Sequence, residues 1–330
     1  MKINPNRVDL IKEIPLDRPL SINFESTSRC NFACTFCPCS DGDARDRVGF
    51  TRQDMPSEMF KKIVDDLKEF PQKIKVNHYH YMGEPLLNPN FFSNVRYAVD
   101  ANVAGEHWIR TNGSLLTKET VSKLMDCGLT RIGVSVEAVN EAGYHDLVKR
   151  RGMFEKVVQG VTELYNQSRG KCEVYAKIIN FGIPATDPDE FKKIFTPITD
   201  ECGIEYPMQW NNGVPDSTMG QGIKVTVNGD ELNKHVACPY PFFTMVVSSK
   251  GKALMCCFDW SYQTEIGDVT KSSMKEIWNG QKVRDFWKMH LRGDRGNNPA
   301  CRDCLNLYAC PDKLDDNRDE LLARLNVLGN

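Results

Sequence analysis

Thirteen cysteines constrain this 330-residue chain more than any other feature, because they fall in two groups. Four lie between Cys30 and Cys39 and six between Cys238 and Cys310; only Cys127, Cys172 and Cys202 stand between the groups. A disulfide framework explains this poorly, since such frameworks staple small secreted scaffolds. The N-terminal run MKINPNRVDLIKEIPLDRPL is too charged for a secretory segment, and no apolar run approaches the ~18 residues of a membrane span. The expectation is a cytoplasmic protein whose grouped thiols stay reduced and ligate metal. A formal net charge of −2 leaves no broad footprint for nucleic acid or anionic lipid, so neither is expected as a partner. Cys127, Cys172 and Cys202 each follow helix- or strand-like sequence and are expected to be inert buried thiols.

From Leu20 to about Tyr206, short β-rich runs alternate with amphipathic helical patterns. The predicted strands are Leu20–Glu25, Ile74–Tyr81, His107–Thr111, Arg131–Glu137, Val174–Asn180 and Ile204–Trp210. Helix patterns include Ser57–Phe70, with Ser57 as the expected N-cap, and Thr117–Cys127, closed by Gly128. Such alternation implies a parallel sheet with right-handed crossovers. The predicted fold is α/β: a partial (β/α)6 TIM-type barrel over residues 21–210, with chemistry at the C-terminal strand ends. Residues 1–20 form an N-terminal extension. The Gly-, Pro- and Asn-rich stretch Asn211–Gly222 opens a small C-terminal domain, 211–330. There Phe243–Ser249 and Lys252–Phe258 flank Lys250-Gly251 as a hairpin.

The first cysteine group reads Cys30-x3-Cys34-x2-Cys37. Thiolates are the usual ligands of iron–sulfur clusters, which normally take four, so three close cysteines leave one iron open. Structural zinc is the alternative, with Cys39 as a fourth thiolate, although zinc usually takes paired C-x2-C knuckles.

With the aromatic Phe36 before the third cysteine, this run resembles the defining motif of the radical S-adenosylmethionine (SAM) superfamily. Tyr81-Met82-Gly83-Glu84-Pro85, ending the second strand, looks like that family's GGEP motif, with Met82 in place of the second glycine. The resemblance implies that Gly83, Glu84 and Pro85 hold the methionine amino group, and that contact at Met82 is through main chain only. It further implies that Asn112 in Thr111-Asn112-Gly113, Ser135 ending the fourth strand, and Arg150 near the carboxylate line the cofactor. Taken singly, each has a plainer reading: Gly83–Pro85 and Thr111–Gly113 as turns, Arg150 and Arg151 as a solvated helix face. Their shared position at successive strand ends is what favours a site. In the family the amine and carboxylate of SAM chelate the open iron of a [4Fe–4S] cluster. Reduction then yields methionine and a 5′-deoxyadenosyl radical. An external electron donor such as flavodoxin or ferredoxin is implied.

The second group, Cys238, Cys256, Cys301-x2-Cys304 and Cys310, resembles the SPASM domain, a cysteine-rich extension of radical SAM enzymes that carries auxiliary [4Fe–4S] clusters. Nothing after Cys310 is cysteine, so the count suits the shortened form with one cluster, held by Cys238, Cys256, Cys301 and Cys304. Cys257 and Cys310 are alternates; Cys257 is expected to point away from Cys256 if the hairpin is regular. Zinc is again the alternative for four paired cysteines.

A fully ligated second cluster suits electron transfer. A substrate that loses a hydrogen atom, then a proton and an electron, undergoes net dehydrogenation, which needs a base. Glu137, His78 and His80 are the candidates, with Lys177 and Asp259 behind them; His78 and His80 on one strand face also read as satisfied core histidines. A small polyol, sugar or aminocyclitol is the favoured substrate. Peptide maturation and redox-neutral epimerisation are the alternatives; the twenty-nine residues before Cys30 are few for a leader-gripping module. An iron–sulfur carrier would need neither Glu84 nor Ser135.

Overall fold

The computed structural model describes residues 7–209 and 224–327. Nine strands form one sheet in the order β6-β5-β4-β3-β2-β1-β7-β8-β9. They are β1 (Ser21–Phe24), β2 (Ile74–His78), β3 (Ala104–Thr111), β4 (Arg131–Val136), β5 (Glu173–Ile179), β6 (Glu201–Glu205), β7 (Thr244–Val247), β8 (Lys252–Leu254) and β9 (Glu265–Asp268). The first six are parallel neighbours in chain order, each joined to the next by helical crossovers. The fold is thus the expected open α/β barrel of six units.

Alternation along each strand separates two environments. One set of residues, including Ile22, Phe24, Ile132, Val134, Val136, Val174, Ala176 and Ile178, is fully buried against the helices. Helix Ser57–Asp66 answers with Phe60, Ile63 and Val64, and helix Phe154–Ser168 with Val157, Val161 and Leu164, at the i, i+3, i+4 spacing of one face. The other set turns into the barrel and is largely polar: Asn23, His78, Arg110, Arg131 and Tyr175 line one cavity with Trp108 and Gly133. Room for these side chains comes from glycines. A Cβ on Gly203 would lie 2.0 Å from the Tyr175 hydroxyl, so the tyrosine can lie across β6 only because that position is bare.

Several expected boundaries move. The second strand ends at His78 rather than Tyr81, because the chain must turn to place Gly83, so His80 lies beyond the ladder. The sixth strand spans Glu201–Glu205, not Ile204 onward, with Tyr175 facing Glu201 in register; Trp210 and the Asn211–Gly222 stretch lie outside the described residues. Helix Ser57–Asp66 has Pro56 as its N-cap with no side-chain cap, and the Ser57 hydroxyl instead donates to Asn94 Oδ1 at 2.6 Å. Thr117 does cap the next predicted helix, accepting from the amide of Thr120. Cys127 and Cys172 are buried, whereas Cys202 on β6 is half-buried and contacts the Thr199 hydroxyl at 3.1 Å.

The C-terminal hairpin joins the barrel sheet. β7 runs parallel to β1, pairing Ser21 with Thr244 through Phe24 with Val247, and β8 and β9 continue antiparallel.

Candidate active site

Cys30, Cys34 and Cys37 follow β1 on a loop at the C-terminal edge of the sheet, where parallel barrels place chemistry. The end of helix Glu141–Val148 supports this loop: the amides of Ala33 and Thr35 donate to the carbonyls of Val148 and Leu147 at 3.1 and 2.9 Å. Arg150 reaches the same loop and donates from Nε to the Asn31 carbonyl at 2.8 Å, so its guanidinium braces backbone next to Cys30. Phe36 is half-buried beside the thiols. Burial pushes Cys30 up to about 11 and Cys34 well above its ordinary value; repulsion adds to this, from Glu84 and then Cys37 on Cys30, and from Glu137, then Cys37 and Cys30, on Cys34. Cys37 is lowered, chiefly by the hydrogen bond it receives from Cys39. Crowded, desolvated thiols of this kind become thiolates when iron supplies the counter-charge. Among the described residues no three His, Cys, Asp or Glu side chains close on a single ion. The donor set fits a thiolate-ligated cluster.

The turn after β2 packs directly on this loop. Gly83 has φ +74°, and a Cβ there would meet the carbonyl oxygens of Thr27 and Arg29 at 2.4 and 2.5 Å. Only glycine permits that approach. Next to it the amide of Glu84 donates to the Arg29 carbonyl at 2.8 Å. The Glu84 carboxylate, 1% exposed, accepts from the Thr111 hydroxyl and the Asn112 amide, both at 2.7 Å, and from the Leu86 amide at 3.2 Å. Burial raises its pKa to about 7, against the pull of those donors. Glu84 thus pins the turn to the end of β3, and Pro85 beside it is buried. Asn112 then links outward: its Nδ2 donates to Asn31 Oδ1 at 2.9 Å, and its Oδ1 accepts from the Ser114 hydroxyl at 2.7 Å. Asn31 and Ser114 carried no signal in the sequence beyond lying beside Cys30 and Gly113.

Inside the barrel, Glu205 accepts from Arg110 at 3.1 Å and pairs with Lys177 at 3.5 Å, with the Tyr175 hydroxyl at 3.3 Å. Burial would push its pKa up, but Arg110, Lys177 and these hydrogen bonds outweigh that and bring it down to about 2. His78 and His80 stand edge to face, 5.3 Å between ring centres. Burial lowers His78 to about 3 and His80 well below its ordinary value. His80 Nδ1 accepts from the Arg110 amide at 3.0 Å, whereas His78 Nδ1 is buried with no hydrogen-bond partner. Ser135 lies opposite Lys177 in register. Glu137, just past β4, is 7% exposed with Oε2 unpartnered, and burial raises its pKa. It lies within electrostatic reach of Cys34 and Cys37.

The second thiol group also gathers. Burial raises both Cys238 and Cys256; Cys238 then feels Cys304, Cys301 and Cys310, and Cys256 feels Cys257 first, then Cys304, Cys301 and Cys238, so the alternates Cys257 and Cys310 lie in the same thiol group. Cys256 Sγ accepts from the Phe258 amide at 3.4 Å. Cys257 was expected to point away from Cys256 by strand alternation, but β8 ends at Leu254, so both cysteines sit in a turn where that rule does not operate. Cys310 directs its thiol at Asp312, 3.7 Å away, and burial first and that carboxylate second push it up to about 12. Asp259 is fully buried and committed to its own turn, accepting from the Ser261 hydroxyl at 2.8 Å and the Thr264 amide at 2.6 Å.

Two contacts that sequence reasoning missed join the halves. The fully buried carboxylate of Glu25, just past β1, is held by Tyr262 and Ser249 from the auxiliary segment. Trp260 of the auxiliary segment enters a small core on the barrel side, where Cys39 and Met82 touch sulfur to sulfur at 3.4 Å.

An α/β barrel with three loop thiols at its C-terminal edge and a second thiol set in the segment beyond it is an arrangement that suits an iron–sulfur protein. Residues 24–196 match the radical SAM superfamily and residues 238–305 an iron–sulfur cluster-binding domain known as SPASM. The chain belongs to the radical SAM superfamily, and its cofactors are SAM, the radical SAM [4Fe–4S] cluster and an auxiliary [4Fe–4S] cluster. It is 22% identical over 286 residues to the S-adenosyl-L-methionine-dependent 2-deoxy-scyllo-inosamine dehydrogenase of Niallia circulans, covering 87% of this chain and 92% of that one. It is 30% identical over 151 residues to the mycofactocin maturase MftC of Mycolicibacterium smegmatis, covering 46% of this chain and 36% of that one. In fold it resembles BtrN in complex with AdoMet and 2-DOIA (TM-score 0.56, 20% identity, 86% and 92% covered) and Streptococcus suis SuiB bound to S-adenosylmethionine (TM-score 0.63, 13% identity, 91% and 74% covered). No helix among the described residues is long and apolar enough to cross a membrane.

Proposed function

We propose that this enzyme dehydrogenates a small polyol, sugar or aminocyclitol, with Cys30, Cys34 and Cys37 holding the radical SAM cluster and Cys238, Cys256, Cys301 and Cys304 the auxiliary one. The observation that carries this reading is that Glu137 lies in electrostatic reach of Lys177 and Glu205 inside the barrel as well as of the first thiol set, while a second thiol set lies near the turn after β2. Glu137 lies in electrostatic reach of Cys34, and Tyr81, whose buried hydroxyl has no partner, lies in reach of Cys256. When bound, SAM and its cluster supply a 5′-deoxyadenosyl radical, and the auxiliary cluster supplies a place for one electron.

The protein's own residues do the rest. A hydroxyl-rich substrate finds donors and acceptors in Arg110, Lys177, Tyr175 and Glu205, already ordered by their mutual contacts. Glu137 is the base: its unpartnered oxygen and raised pKa place a proton acceptor nearer working pH than His78, held at about 3, can offer. Asp259 is already fully committed. Electrons for SAM cleavage come from an external flavodoxin or ferredoxin, in the reducing cytoplasm.

The test uses anaerobically reconstituted protein with aminocyclitols and polyols, 2-deoxy-scyllo-inosamine among them, counting 5′-deoxyadenosine against oxidised product. Cys301→Ala with Cys304→Ala should keep SAM cleavage and lose most oxidised product, with circular dichroism as the control for folding. A folded double variant that lacks the auxiliary cluster yet oxidises substrate at the full rate rejects the electron-accepting role. Product with inverted stereochemistry and no oxidation identifies an epimerase instead.

A further inference from the structure

His290 has no role in the reading above. It projects from helix Gln281–Arg292, is 1% exposed, and brings Nε2 to 3.7 Å from Cys301 Sγ. Its Nδ1 is buried without a hydrogen-bond partner. A buried imidazole nitrogen left unpaired costs stability, so the ring's placement calls for a reason at its other end. Phe286, one helical turn earlier, packs on the ring at 5.0 Å between centres and fixes its plane. Arg295 braces the adjoining loop, its Nη1 donating to the carbonyls of Cys301 and Cys304, the latter at 3.1 Å.

We infer that His290 donates an N–H···S hydrogen bond to the Cys301 thiolate and raises the reduction potential of the auxiliary cluster. This rests on Cys301 being a ligand, as proposed above. A ligated thiolate sulfur only accepts hydrogen bonds, so the nitrogen facing it must carry the proton, and the bare lone pair falls on Nδ1. Hydrogen bonds to cluster sulfurs withdraw electron density and favour the reduced state, which carries the extra negative charge. Phe258 makes the same kind of contact from its amide to Cys256, and the Arg295 cation lies beside Cys301. All three surroundings push one way: they make this cluster a better electron acceptor. His290 is therefore a positioning residue for electron flow, acting through Cys301 rather than on the substrate.

The experiment isolates the auxiliary cluster in the full-length chain by changing Cys30, Cys34 and Cys37 to Ala. Its midpoint potential is then followed by electron paramagnetic resonance during redox titration. Adding His290→Leu should leave about four irons per chain and lower the potential by roughly 59 mV, which is tenfold in a one-electron equilibrium. His290→Gln, which keeps an N–H donor, should recover most of that shift. An unchanged potential in a fully loaded His290→Leu protein overturns the inference. Should His290→Leu lose its iron, His290→Gln decides: a loaded cluster at nearly the original potential supports the hydrogen bond, and loss of iron there too overturns it in favour of ligation by the histidine. Adding Cys301→Ala with Cys304→Ala to the same background tests the underlying ligand assignment separately, because about four irons retained there would reject that assignment whatever His290 does.

Discussion

The carboxylate of Glu25 accepts the hydroxyl of Tyr262 at 2.9 Å across 237 residues of sequence, while its other oxygen takes the amide and hydroxyl of Ser249 at 2.7 and 2.8 Å. Burial raises the pKa of Glu25, so those donors are what the group relies on. Tyr262→Phe removes one of three and should cost about 1 kcal/mol, whereas Glu25→Ala strands all three donors in the core and should cost about 3 kcal/mol or more. Urea unfolding of the two variants checks the order; equal losses would mean that the carboxylate is not the anchor.

Metal content gives the second prediction. Reconstituted wild-type protein should carry about eight irons and eight sulfides per chain, and the Cys30→Ala, Cys34→Ala, Cys37→Ala protein about four. Stoichiometric zinc in anaerobically purified protein would reject two iron clusters.

Glu84 gives the third. Its carboxylate fixes the Gly83 turn to Thr111 and Asn112, so Glu84→Ala should weaken SAM binding about tenfold or more while leaving the iron count and visible spectrum of the cluster intact. Equilibrium binding of SAM to the loaded protein measures this. Unaltered affinity would show that the turn does not shape the cofactor site.

Acid sensitivity is the fourth. The Glu205 pKa falls to about 2 in the folded chain, below its ordinary value of 4.5. A depressed carboxyl stabilises the fold above its unfolded pKa and loses that contribution as pH falls through the folded one. The window is therefore pH 4.5 down to about 2. Glu205→Gln should destabilise the cluster-free protein by about 3 kcal/mol at pH 7, since Arg110 and Lys177 lose their shared counter-charge. By pH 3 the gap should have narrowed markedly. A difference independent of pH would assign the loss to packing.

How legible this was depends on the range of each interaction. The barrel could be read because its strands and helices carry local periodicity: Ile132, Val134 and Val136 alternate outward just as their spacing requires. Cys30, Cys34 and Cys37 were legible as a short motif. Glu25, Asn31 and His290 were not, because a single Glu, Asn or His acquires meaning only from partners tens to hundreds of residues away. The expected alternation of Cys256 and Cys257 rested on a rule valid only inside a ladder, and the sixth strand began early because Gly203 looks like a strand breaker until Tyr175 is seen to need the space. The parallel pairing of β7 with β1 is equally silent in sequence, since nothing in Thr244–Val247 names its neighbour.

That pairing has a mechanical consequence. β1 feeds the loop of Cys30, β7 leads through the hairpin to Cys256, and four consecutive registered pairs bind the two strands. Separating the loop of Cys30 from the hairpin that leads to Cys256 along the sheet would tear a buried ladder in the middle of nine strands, with the Glu25 staple across its end. Electron tunnelling weakens exponentially with distance, so a fixed gap means a fixed hopping time. A short-lived carbon radical would then meet its acceptor on a schedule set by the weave of the backbone, with no need for a domain to swing shut at each turnover.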